Sequence, residues 1–300
     1  MAARAILFFK SRPRFRDITM ACLRGRFLVE SHIAMPIEAY LQHALHHLES
    51  IYAEMHKATG RVLFRDVGPY RQFRHETLTE SLICYLKGVK TISTLNACLL
   101  LLRHGYTQEI GALCRMVDDF CNEIFFLLQP QGENGFSDDQ KRFIESFFQE
   151  EFDKPGDPLG STQKRDTVSV RKIHATFAKL ASGELNPSDA QQLLRTTHQA
   201  FSGYVHGAYP HIMEMFGGNP PAFHMSGMLG TPRVDEWRGQ LVGYVHRLII
   251  ASVFVARKLG ITDMERPLRA FLSEFEATTG TAPALPAGAM LAEYKKSRAT

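Results

Sequence analysis

From residue 36 onward, apolar side chains recur every three or four positions over segments far longer than a strand. In Ile37–Ala58 they fall at 37, 41, 45, 48, 51, 52 and 55, which draws one apolar stripe along an α-helix, with Gly60 as its C-cap. The same spacing predicts a long helix from about Gln72 to Arg103, closed by Gly105, and a second from Thr107 to Gln129, stopped by Pro130. Ser137-Asp-Asp-Gln140 reads as a capping box for a helix reaching Phe152, and residues 153–165 read as a loop. Further helices are expected over 167–181, 188–215, 233–259 and 263–278, with a Gly/Pro-rich loop at 217–232. Strand signals are scarce, since no Asn-Gly turn lies between alternating apolar runs. The expectation is an all-α protein: a single bundle of about seven or eight helices over residues 36–280, with long central helices. Residues 281–300, rich in Ala and Pro, read as a flexible tail.

Charge divides the chain unevenly. Of 35 basic and 31 acidic side chains, seven basic and two acidic ones fall in residues 1–35, which leaves 28 and 29 for the rest. Residues 1–35 therefore read as a basic extension on a neutral body. A neutral body argues against a broad nucleic-acid-binding surface, though not against a local patch, and no DNA partner is expected. Two readings of the extension stay open: a disordered or mis-started segment ahead of Met35, or an Arg-rich transit peptide. The five cysteines (Cys22, Cys84, Cys98, Cys114, Cys121) are odd in number and form no CxxC pair. They read as free thiols of a cytoplasmic protein. The most apolar uninterrupted runs, Ile92–Leu102 and Leu248–Ala256, fall short of the roughly 18–20 residues of a spanning helix, so no membrane association is expected.

Two helices concentrate polar residues that can do chemistry. On the 107–129 helix, Arg115, Asp118, Asp119 and Asn122 lie opposite a stripe of Ile110, Leu113, Val117, Cys121, Ile124 and Leu128. They are either a site or a solvated, ion-paired face. On the 188–215 helix, Arg195, His198, Ser202 and His206 share one side. Pro210 cannot donate to the His206 carbonyl, and Gly203 and Gly207 flank the same turn, so a kink is expected at His206, beside Tyr204 and Tyr209. A half-buried structural histidine is the alternative. The cluster His43, His46, His47 and Glu49 reads as a solvated face, because no Glu-x-x-His partner motifs accompany it. No metal or cofactor is expected, and phosphate-loop, nucleophile-elbow, zincin and dinucleotide motifs are absent from the sequence.

The stretch His104-Gly-Tyr-Thr-Gln-Glu-Ile-Gly-Ala-Leu-Cys-Arg115-Met-Val-Asp118-Asp119-Phe, with Phe201-Ser202-Gly-Tyr204-Val-His206-Gly, resembles the HEPN-like helical proteins over roughly residues 75–255. The resemblance implies an all-α, commonly dimeric bundle, and either a metal-independent ribonuclease of defence systems or an inactive RNA-associated relative. The family's catalytic mark is an Arg followed four to six residues later by a His. Here Arg195 and His206 are eleven steps apart, which restores the helix face but separates the Cα atoms by about 16 Å. The resemblance then implies Arg115 as the substitute arginine that stabilises a phosphorane, His206 as general acid or base, and Asp118 or Asp119 as its orienting group. Arg195, His198, Ser202 and Tyr204 become candidate binding residues. RNA and a second copy of the chain are the implied partners. The alternative is a non-catalytic helical module for dimerisation or for a ligand or partner. A metal-dependent helical oxygenase ranks last, for want of ligand motifs.

Overall fold

The computed structural model describes residues 35–128, 135–180 and 187–281. Among them the chain forms α1 (Ile37–Met55), a hairpin of β1 (Val62–Val67) and β2 (Tyr70–His75), α2 (Glu80–Arg103), α3 (Thr107–Leu127) and α4 (Asp138–Phe148). There follow α5 (Val170–Leu180), α6 (Pro187–Val205), α7 (Tyr209–Ile212), a minimal ladder of β3 (Phe216–Gly217) and β4 (Ala222–Phe223), α8 (Pro232–Lys258) and α9 (Thr262–Thr279). The fold is an all-α bundle carrying two small two-stranded ribbons. Residues 1–34 and 282–300 lie outside the described residues, and with them Cys22, the basic extension but for Met35, and the tail but for Thr281.

The central helix is α2, buried nearly all round through Leu82, Ile83, Cys84, Tyr85, Ile92, Leu95, Cys98, Leu99 and Leu102. Helices α1, α3 and α8 pack around it, α9 lies on α8, and α5 and α6 cover α3. Small residues set how closely the helices approach. A Cβ on Gly88 would stand 2.1 Å from the Tyr52 hydroxyl, which in turn meets Ser252 Oγ at 3.2 Å. That contact joins α1, α2 and α8.

Local chemistry fixes the ends. The Thr79 hydroxyl accepts from Leu82 N–H at 3.1 Å to start α2. The expected capping box is present on α4: Ser137 Oγ accepts from Gln140 N–H at 3.3 Å, and Gln140 Oε1 accepts from Ser137 N–H at 3.0 Å. Gln140 also donates to the Phe126 carbonyl at 2.7 Å, which clips α4 to the end of α3.

Three boundaries differ from expectation. The segment before α2 is an antiparallel hairpin, not the first turns of a helix. Gly68 occupies the first position of its two-residue loop at φ 59°, as primed turns require, and Phe64 pairs with Phe73 across the ladder. The α4 helix stops at Phe148, where Gln149 turns extended. The 188–215 segment is not one kinked helix. Gly207 takes φ 59°, and Ala208 N–H bonds the Gly203 carbonyl at 2.9 Å, which closes α6. Pro210 then sits in the first turn of α7, where a missing N–H costs nothing.

Four cysteines, Cys84, Cys98, Cys114 and Cys121, are free and buried. Burial pushes the Cys84 thiol up to about 12 and the Cys121 thiol up to about 11. By length and composition α8 could cross a bilayer, but 67% of its apolar window is buried inside the bundle.

Candidate functional site

The polar side of α3 faces neither open solvent nor an empty cavity. Helices α5, α6 and α8 cover it, so Arg115, Asp118 and Asn122 are all buried. Buried charge needs partners, and α8 supplies them. Arg247 pairs with Asp118, and its other nitrogen donates to Asn122 Oδ1 at 2.7 Å. The Tyr244 hydroxyl donates to Asp118 at 3.3 Å. Desolvation raises the Asp118 pKa, and Arg247 opposes that rise. Arg115 pairs with Asp119 along its own helix and donates to His198 Nε2 on α6.

A second imidazole closes the group. His174, on α5, is 3% exposed. It accepts at Nε2 from Asn122 at 3.4 Å, and its ring meets that of His198 edge to face at 5.6 Å. Desolvation, helped by His198 and Arg115, pulls the His174 pKa down to about 4. Desolvation, then Arg115, lowers that of His198. Both rings are therefore neutral near pH 7. With Nε2 accepting in each, the remaining ring proton sits on Nδ1.

Beyond these rings α5 and α6 part to form a cleft of about 630 Å³. Arg171, His174, Gln191, Gln192, Arg195 and His198 line it, together with Val170 and Ser188. Arg171 and Arg195 are exposed, and neither has a carboxylate partner among the described residues. The cleft thus presents two unneutralised guanidinium groups above two neutral imidazoles, with amide side chains beside them. That set donates hydrogen bonds and positive charge and offers no carboxylate, which suits an anion with several acceptor oxygens.

The candidate residues read from the sequence divide between places. Arg115, Asp118 and Asp119 belong to the buried network beneath the cleft, and Arg195 and His198 line it. His206 is exposed at the closed end of α6, eight residues beyond His198 and about 12 Å along the axis. The arginine of α3 meets His198, not His206. Tyr204 points the other way. A Cβ on Gly111 would stand 2.5 Å from its ring, and its hydroxyl donates to Glu214 at 3.0 Å. Ser202 is half-buried, away from the residues lining the cleft.

Sequence reasoning missed His174, Arg171, Tyr244 and Arg247. One signal was there to be read: Arg171-Lys-Ile-His174 and Arg195-Thr-Thr-His198 are the same Arg-x-x-His spacing on two consecutive helices. Spacing i,i+3 puts Arg and His on one face, and the fold turns the two faces toward each other. Near α1, His43, His46 and His47 are exposed, with His46 3.3 Å from Glu49. No group of three or more potential metal ligands occurs among the described residues. Comparison with family models, with curated proteins and with solved structures finds no match to this chain.

Proposed function

We propose that the protein is a non-catalytic RNA-associated module of HEPN-like ancestry whose α5–α6 cleft receives an RNA phosphate. One observation carries the reading: among the described residues Arg171 and Arg195 have no carboxylate partner, and those lining the cleft with the neutral imidazoles of His174 and His198 include no carboxylate. Paired guanidinium groups suit phosphate oxygens. The resemblance to HEPN-like proteins supports RNA as the bearer of that phosphate. The same resemblance supports a homodimer, and the buried free thiols support a cytoplasmic setting.

Recognition is favoured over cleavage for a chemical reason. A general base works best with a pKa near the operating pH; burial takes His174 down to about 4 and lowers His198 as well. Their Nε2 lone pairs are already committed to Arg115 and Asn122. Arg115 and Asp118 are likewise bound within the network.

The test is fluorescence anisotropy of a labelled single-stranded oligoribonucleotide without metal, followed by a denaturing gel. Wild type is expected to bind and leave the strand intact. The Arg171→Ala/Arg195→Ala variant should lose at least tenfold in affinity while melting like wild type. Equal binding by the variant, or none by wild type, would discard the cleft. Cleavage that survives in wild type and disappears in His198→Ala would restore the ribonuclease reading.

A further inference from the structure

The β1–β2 hairpin holds large apolar side chains in water. Phe64 is 48% exposed, Phe73 69% and Tyr70 62%. Phe64 and Phe73 pair directly across the ladder, with ring centroids 4.8 Å apart. The Arg71 guanidinium lies over the Phe64 ring at 4.6 Å and bonds Asp66 at 3.2 Å. Strand alternation puts Phe64, Phe73, Asp66 and Arg71 on one face. The opposite face is anchored to the body, where Arg74 holds Glu150 at 2.6 and 2.7 Å. Four arginines (Arg61, Arg65, Arg71, Arg74) stand against Asp66 and Glu76 in this segment, so it is positive on an otherwise nearly neutral body.

We propose that this ribbon is a stacking platform for bases of single-stranded RNA, with Phe73 and the Phe64–Arg71 pair under successive bases and the net positive charge of the segment drawing the strand. The proposal rests on the RNA reading of the cleft. Every base presents a π-face, so an aromatic pair with Arg71 on the same face of a positively charged ribbon binds a strand without reading its sequence. Charge decides against a second copy of the chain, because joining two such ribbons would bring like charges together. Geometry decides against a bilayer. A membrane wedge needs a free tip, and here the tip is docked: a Cβ on Gly68 would stand 2.4 Å from the Pro155 side chain.

The test uses the full chain and a 4-thiouridine oligoribonucleotide. Ultraviolet crosslinking followed by peptide mass spectrometry should place crosslinks in residues 62–75. Phe64→Ala/Phe73→Ala should weaken anisotropy binding about tenfold or more, whereas Phe64→Tyr/Phe73→Tyr, which keeps the rings, should bind within about twofold of wild type. Wild-type binding that the Ala pair leaves unchanged, while the Arg171→Ala/Arg195→Ala variant loses it, overturns the platform and leaves the cleft standing. Loss of binding in the Ala pair with a retained cleft response supports both. Absence of wild-type binding overturns both. Crosslinks confined elsewhere overturn the platform, as does an Ala pair that abolishes only self-association in sedimentation or only binding to anionic vesicles.

Discussion

Asp118 and His174 meet the cost of burial in opposite ways. Asp118 remains usable as an anion because Arg247 and Tyr244 reach it. His174 gives up its charge. Replacing Asp118 with Ala leaves the buried Arg247 without its carboxylate and should cost about 3–5 kcal/mol in urea unfolding. Asp118→Asn, which keeps the shape and a Tyr244 acceptor, should cost less. His174 makes a pH prediction. Its pKa is about 6.5 unfolded and about 4 folded. Over that window the unfolded ring takes up a proton that the folded ring refuses. Its stabilising contribution is complete above about pH 6.5 and fades as pH falls toward about 4. A full shift would correspond to about 3 kcal/mol, and solvent in the adjoining cleft reduces that to roughly 1–2 kcal/mol. His174→Asn should flatten the pH dependence of the melting temperature between those limits. An unchanged slope would mean that the ring is not held neutral. The polar face of α3 was legible as unusual because two carboxylates, an arginine and an amide share it. Its partners were not, because Tyr244 and Arg247 lie about 125 residues away and no local pattern links them.

At the scale of elements, helix starts written in side-chain chemistry were the easiest to read. The Ser137–Gln140 capping box stands where expected, and Ser137→Ala should lower stability by about 1 kcal/mol. The hairpin was missed for a physical reason. Its alternation is short, and its turn is Gly68-Pro69, a Gly-first loop, where Asn-Gly was sought. In α6 the same residues were given the wrong consequence. Pro210 and Gly207 do interrupt the helix, but Gly207 ends it with a left-handed residue and Pro210 opens the next one, so His206 is left at an exposed turn. Gly111 makes the packing of α3 on α6 testable. Gly111→Ala would drive a methyl into the Tyr204 ring and should cost about 1–3 kcal/mol in thermal or urea unfolding. A neutral substitution would show that α6 does not sit this close.

For the whole molecule, helical periodicity was enough to establish the bundle, because α1 and α3 bury most of the stripe their spacing singles out, and α2 and α8 fall where long apolar helices were expected. It could not say which helices would part to leave a cleft, since that depends on how α5 and α6 cross α3. The packed thiols give a global check. In native protein Cys84, Cys98, Cys114 and Cys121 should resist alkylation and react on denaturation. The central claim is that Arg171 and Arg195 contact phosphates, and counterion release tests it most directly. Each phosphate contact on a single strand contributes about −0.7 to the slope of log K against log salt. The Arg171→Ala/Arg195→Ala protein should bind RNA with a slope shallower than wild type by about 1.4. An affinity loss with an unchanged slope would contradict the account, because those arginines would then be acting on something other than phosphate.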